Sequence, residues 1–265
     1  MCELFAVSSD QPVLLRYELR AFARHGGGEF RNRDGWGIVF AQEHDAYLFK
    51  EPAAASESAL ERMVTSHAPP SRLVMAHIRL ATAGGALLAN THPFRRTRFG
   101  RVLNFAHNGS LPGLRSNYAK TEVVANCIGD TDSELAFLLL LGRIEALGPA
   151  ATPEERFAVF GDFCAEMREQ GTANFLFTDG EQLFVHSHKR RAFENGAFGE
   201  AHSPGLHLRE LAAGEGAWKT KGAQMKPAPE NGVLVASVPL DRKKWTSLDE
   251  GSALLIEHGR VRCSS

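Results

Sequence analysis

The chain has 265 residues, 43% hydrophobic and 23% charged, with a formal net charge of −1. That is the make-up of a soluble globular protein, and a single domain over residues 2–265 is expected. The near-neutral charge withholds the bulk electrostatics of nucleic-acid binding. No run approaches the roughly 18 apolar residues of a membrane span, and Glu3, Asp10 and Arg16 interrupt any signal-peptide core, so the expected setting is the cytoplasm, with neither nucleic acid nor membrane as partner.

Strand signals dominate the first third: "LFAV" at 4–7, "WGIVFA" from 36, "AYLFK" from 46 and "RLVMAHIRL" from 72. Between them, Ser58 and Glu61 have capping-box spacing, and Leu60, Met63, Val64 and His67 recur at helical intervals. The run "RVLNFAHNG" at 101–109 reads as a strand ending in a turn-prone Asn-Gly, and the arginines 95, 96, 98 and 101, before and at its start, are expected as solvated loop charge. Thr131 and Glu134 then open one helix, while Thr152, Pro153 and Glu155 open another with stripe Phe157, Phe160, Cys164 and Met167, closed by Gly171. "NFLFTDGEQLFVHS" predicts a hairpin around Asp179-Gly180, "GVLVASVPL" and "ALLIEHGRVR" supply later strands, and 189–231 reads as loops and short strands.

Cys2, Cys127, Cys164 and Cys263 form no CxxC pair, which argues against a zinc ribbon and a disulfide framework. There is no GxxxxGK[ST] loop, no GxSxG elbow and no GxGxxG after a strand; "HGGGEF" at 25–30 reads as a flexible loop. Cys2 raises a different possibility. Removal of Met1 would give it a free α-amine titrating near ~7.7–8.0 beside a thiol near ~8.5, a base and a nucleophile in one residue.

Cys2 together with "RNRDGWG" at 31–37, "HIRLAT" at 77–82, "NTHPF" at 90–94, "AHNGSL" at 106–111 and "GDTDSE" at 129–134 resembles the class II glutamine amidotransferases, in order and in spacing. It most resembles their small stand-alone, YafJ-like members. The resemblance is close over residues 2–135 and looser beyond. It implies an α+β fold, a four-layer αββα sandwich of the N-terminal-nucleophile hydrolase type, with Cys2 at the start of a central strand. It also implies residue roles. Cys2 attacks the glutamine side-chain amide, and Asn108 and Gly109 hold the oxyanion. Arg79 grips the substrate α-carboxylate, Asp132 the α-ammonium, and Thr82 helps at the amino-acid end. His92 belongs to the substrate pocket, as ligand or as buried support, and Arg31 shapes the nucleophile's loop. Ala83 stands where synthase-linked members often carry histidine, so pocket details differ.

A three-histidine metal site from His77, His92 and His107 competes with this reading, as does same-face spacing of His186 and His188, but no carboxylate falls at a metal-motif spacing with them. No metal and no cofactor are expected. The expected function is hydrolysis of glutamine to glutamate and ammonia through a Cys2 thioester, by a single glutaminase domain, with ammonia passed to a separate synthase subunit because no synthase module follows. The alternative is hydrolysis of a bulkier γ-glutamyl amide, its leaving group chosen by the loops around Gly26–Phe30 and Ala83–Asn90.

Overall fold

The computed structural model describes residues 2–17, 33–81, 84–194, 197–214, 218–220, 222–242 and 244–265. Arg31, Thr82, Ala83 and the Gly26–Phe30 loop lie outside them.

Two antiparallel sheets stack face to face. The first runs in the order Thr246–Ser247, His207–Ala212, Asn231–Ala236, Glu3–Tyr17, Ser71–Arg79, Gly35–Gln42, Asp45–Glu51, with Ala223–Lys226 added beside Glu3–Tyr17. The second runs Arg260–Ser264, Ala253–Glu257, Gln182–His186, Thr172–Thr178, Arg101–Ser110, Phe94–Arg98. Strand Glu3–Tyr17 lies at the centre of the first sheet, so the residue before it, Cys2, starts a central strand as expected. The stretch 189–231 contributes short strands, including a separate ribbon of Arg190–Glu194 and Ala197–His202.

Alternation along the central strand explains why its sequence reads as an unbroken apolar run. Leu4 and Ala6 point between the sheets, where they join Met75, Ala106, Leu176 and Val185. Phe5 and Val7 point the other way, into a cluster with Trp36, Ile38 and Val64. Both faces are buried, so both parities are hydrophobic. The outer face of the second sheet is aromatic: Phe105, Phe175, Phe177 and Phe184 pack with Phe137, Phe160, Phe163 and Met167 from helices Asp132–Leu147 and Pro153–Gln170. Phe105 and Phe137 stack with centroids 5.2 Å apart. Each such buried ring contributes about 1.5–3 kcal/mol. The outer helices and stacked sheets make the four layers the resemblance implied.

The helix starts differ from one another. Thr152 makes the full reciprocal box with Glu155. Thr131 accepts from the Glu134 N–H, but the Glu134 carboxylate turns away to the N–H groups of Ile128 and Gly129 and to Arg96 at 2.5 Å. Ser58 caps Ala59–Ser66, yet of the expected stripe only Val64 is buried and Leu60 half-buried, while Met63 is 51% exposed and His67 is the exposed C-cap. A helix this short has one contact line on the sheet. The four arginines expected as solvated loop charge lie on strands and pair with acids: Arg95 with Asp45, Arg96 with Glu134, Arg98 with Glu145 and Arg101 with Glu181. The Asp179-Gly180 hairpin forms as expected, with Gly180 at φ +98° and Asp179 Oδ1 accepting from the N–H groups of Glu181 and Gln182.

Candidate functional site

One strand from each sheet delivers the reactive groups. Cys2 enters at the head of strand Glu3–Tyr17, and its Sγ accepts from the Leu80 N–H at 3.2 Å and lies 3.4 Å from the Leu80 carbonyl oxygen. Asn108 and Gly109 come from strand Arg101–Ser110 of the second sheet. These three line one cavity of about 450 Å³, together with Leu80, Ser110, Thr172 and the side chains of Arg168, His188, Lys189 and Arg191. A second cavity, about 430 Å³, lies around Gln42, Arg72 and His258 and contains none of the expected site residues.

The Asn-Gly dipeptide does not turn the chain. The strand continues through Ser110, with Asn108 opposite Asn174 and Gly109 opposite Ala173, and Gly109 is not among the glycines with positive φ. The glycine is required for space instead: a Cβ there would sit 1.9 Å from the Thr172 carbonyl oxygen and 2.4 Å from His107 Nε2. Asn108 is fully buried; its carbonyl accepts from Asn174 Nδ2 at 2.8 Å, and its side-chain amide lies 3.1 Å from Ser237 Oγ.

Burial pushes the Cys2 thiol above its ordinary range, the Leu80 N–H and the Arg79 charge pulling back only in part. The resting group is therefore a thiol at neutral pH, and a base must take its proton before it can attack.

Arg79, 3% exposed, ends strand Ser71–Arg79 and donates to the carbonyls of Asp34 (3.3 Å), Gly85 (3.1 Å) and Gly84 (3.3 Å). Asp34 also accepts from the Ala81 N–H at 2.7 Å, tying the "RDGWG" motif to the segment after Arg79. Asp132 is the first residue of its helix; Oδ2 accepts from the Leu111 N–H at 2.6 Å and Oδ1 from the Ser133 hydroxyl at 3.1 Å. The Ser133 hydroxyl also lies 2.9 Å from His107 Nδ1, while His107 Nε2 faces the Thr172 carbonyl at 3.0 Å. Arg79 precedes the lining residue Leu80, and Asp132 bonds Leu111, but neither lines the cavity.

His92 sits apart from the cavity wall. Its buried ring packs at a tilt against His77 at 4.2 Å and Phe94 at 4.4 Å, with no hydrogen-bond partner on either nitrogen of either histidine. Burial and the surrounding charges hold both rings neutral, His77 down at about 3. Among the described residues no group of three or more His, Cys, Asp or Glu side chains is arranged to hold a metal ion. His186 bonds the Ser252 carbonyl, and His188 the Ala173 N–H and Glu250. Thr82 and Arg31 fall outside the described residues. The sequence reading missed Ser237 and the cationic side of the cavity. The break of "GVLVA" by a serine and the Lys189–Arg191 run were the available signals.

No helix among the described residues is long and apolar enough to cross a membrane.

A family model described as class II glutamine amidotransferases matches residues 1–265. The protein YafJ of Escherichia coli (strain K12) is 35% identical over 193 residues, which cover 70% of this chain and 72% of YafJ. MJ1515 of Methanocaldococcus jannaschii is 30% identical over 269 residues, covering 98% of this chain and 70% of its own. Among solved structures, a predicted glutamine amidotransferase from Pseudomonas aeruginosa PA01 superposes with a TM-score of 0.67 at 28% identity, covering 99% of this chain and 100% of that one. The glutamine phosphoribosylpyrophosphate amidotransferase of B. subtilis shares the fold, with a TM-score of 0.60 at 16% identity over 100% of this chain and 49% of that one.

Proposed function

This chain belongs to the class II glutamine amidotransferases, enzymes with the N-terminal-nucleophile hydrolase fold, and on that premise we propose that it hydrolyses the glutamine side-chain amide through a thioester on Cys2, formed once Met1 has been removed. The observation that carries the reading is the meeting of Cys2, Asn108 and Gly109 around one cavity. A nucleophile from one sheet faces an oxyanion site from the other.

The α-amine of Cys2, freed by the loss of Met1, takes the thiol proton, directly or through water, and Sγ attacks the amide carbon. The carbonyl electrons move to oxygen, where the Asn108 side-chain amide and the Gly109 N–H receive them. Collapse breaks the C–N bond, and ammonia leaves with the proton held on the α-amine. Water then attacks the thioester under the same base, releasing glutamate and restoring the thiol. Because burial keeps the thiol protonated, the amine supplies what a lowered thiol pKa supplies elsewhere.

Arg79 and Asp132 hold the amino-acid end. Arg79 now spends its guanidinium on the carbonyls of Gly84, Gly85 and Asp34, and a substrate α-carboxylate offers the same fork full charge in place of dipoles. Asp132 retains lone pairs for the α-ammonium beyond its two bonds. Thr82 shares the amino-acid end, Arg31 shapes the nucleophile's loop, and His92 supports the pocket from the core. Ammonia passes to an acceptor on a separate synthase subunit.

The test is glutamine hydrolysis by protein whose Met1 loss is established by intact mass, with diazo-oxo-norleucine as an active-site label. One adduct on Cys2 and no turnover in Cys2→Ala are expected. Labelling of Cys127, Cys164 or Cys263 instead, or turnover by protein that keeps Met1, would sink the mechanism.

A further inference from the structure

We infer that Asn90 is a positioning residue for the amino-acid end of the substrate: its side-chain amide ties the loop beneath Arg79 to the loop that leads into Asp132, and so holds the two grips at one spacing. This rests on the roles proposed for Arg79 and Asp132 and adds the residue that joins them into a single clamp.

Within the "NTHPF" stretch at 90–94, His92 packs in the core against His77 and Phe94, whereas the polar atoms of Asn90 reach the clamp. Asn90 is fully buried at the end of the short turn Leu88–Asn90. Its Nδ2 donates to the Gly85 carbonyl at 3.2 Å, the oxygen that also takes Arg79 Nη1 at 3.1 Å. Its Oδ1 accepts from the Asp130 N–H at 3.0 Å. A carbonyl only accepts and an N–H only donates, so these partners fix which end of the amide is which.

Both loops have firm backing. Behind Asn90, Thr91 Oγ1 donates to the Leu87 carbonyl at 2.9 Å and Lys50 Nζ to the Thr91 carbonyl at 2.7 Å. On the other side, Glu134 stands in the first turn of the helix that Asp132 begins, and it accepts from the N–H groups of Ile128 at 3.0 Å and Gly129 at 2.7 Å. The loop that Asn90 reaches is thereby fixed to the same helical turn as Asp132. Two glycines let the backbones close around the amide. A Cβ on Gly129 would lie 2.3 Å from Asn90 Oδ1, and one on Gly84, at φ +71°, would lie 2.8 Å from Asn90 Nδ2.

The substrate α-carboxylate and α-ammonium share one carbon, so their two partners must stand at a set separation, and a small misplacement weakens both contacts together. Asn90 also keeps the Gly85 carbonyl paired while Arg79 turns its fork to the substrate. A buried carbonyl that lost its only donor would oppose that exchange.

The test uses enzyme freed of Met1, with active sites counted by diazo-oxo-norleucine labelling of Cys2. It measures glutamine kinetics and competitive inhibition by glutamate, by glutarate, which lacks the α-ammonium, and by γ-aminobutyrate, which lacks the α-carboxylate. In the unmodified enzyme glutamate should bind about tenfold or more tightly than either analogue. Asn90→Asp keeps the shape and the acceptor but loses the donor to Gly85. It should raise KM for glutamine about tenfold with kcat per labelled site changing less than about threefold, and glutamate's advantage over each analogue should shrink to about threefold. Asn90→Ser, neutral and too short to span both loops, should do the same and serves if the buried charge prevents folding. An unchanged KM and an unchanged advantage for glutamate, or a loss confined to kcat, overturns the role. Equal weakening of all three inhibitors also overturns it, since Asn90 would then only support the pocket wall. If glutamate has no advantage over the analogues in the unmodified enzyme, Arg79 and Asp132 do not grip the substrate, and the reading on which Asn90 rests fails first.

Discussion

Ser237 Oγ bridges the two sheets, accepting the Leu4 N–H at 2.9 Å and lying 3.1 Å from the side-chain amide of Asn108. Its residue is fixed further by its own N–H to the Leu4 carbonyl and by Arg190 on its carbonyl oxygen. With Asn108 Nδ2 donating, the hydroxyl receives two donors, and Asn108 Oδ1 is left buried without a partner. A half-turn of the amide lets the hydroxyl donate to Oδ1 and frees Nδ2 for the oxyanion role proposed for it. Hydrogen-bond satisfaction favours that arrangement.

Asn108→Ala should therefore lower kcat by about 10²–10³ with little change in KM, the signature of a donor used only in the transition state. Ser237→Ala should give a smaller loss of kcat, about tenfold, at unchanged KM, and Ser237→Thr should restore much of it. Steady-state kinetics alongside circular dichroism checks both. If Ser237→Ala lowers stability and leaves kcat per folded molecule intact, the hydroxyl only ties the sheets together.

Arg79→Lys keeps the charge but loses the planar fork. Forfeiting one charge-assisted hydrogen bond costs about 1.5–3 kcal/mol, so kcat/KM for glutamine should drop about 10–100-fold. A glutamine analogue without the α-carboxylate should be poor with the wild type and lose nothing more in the variant. A further loss on that analogue would show that Arg79 acts elsewhere.

Gly109→Ala should disrupt the strand itself. The new methyl would meet the Thr172 carbonyl at 1.9 Å, a backbone atom fixed by the Asn108–Asn174 and Ser110–Thr172 register. Overpacking of this kind costs about 1–3 kcal/mol. The urea midpoint should fall, with activity lost in the fraction that stays folded. Wild-type stability would show that the strand relaxes around the methyl.

The parts of the site legible in the sequence are those whose chemistry is local. Cys2 announces itself by position, Asn108-Gly109 by its motif, Asp132 by the helix start that places it. Ser237 meets Asn108 only because the sheets stack, and a serine more than a hundred residues away carries no signal of that contact. The misread turn at Asn108-Gly109 has the same origin. Its glycine answers to Thr172 across the sheet, whereas the dipeptide considered alone favours a hairpin. The aromatic core was legible as alternating strands, but which face met the helices was a tertiary outcome.

Glu3 offers a test of how the nucleophile's strand is held. Its carboxyl is 5% exposed, Oε1 has no hydrogen-bond partner, and burial outweighs the nearby Arg190 charge to push its pKa up to about 7. In the unfolded chain a glutamate titrates near ~4.3. Between those values the folded protein binds the extra proton, so stability contributed by neutral Glu3 is fully present below the lower value and is lost as pH rises to about 7. The loss is on the order of 3 kcal/mol. Glu3→Gln keeps the shape and removes the titration. Urea unfolding of wild type and variant at matched pH should therefore show the wild type losing ground to Glu3→Gln between pH ~5 and ~7, with the difference level above that range. A difference constant across the whole range would mean that Arg190 neutralises the carboxylate in the folded state, and that the strand behind Cys2 carries a satisfied ion pair instead of a buried acid.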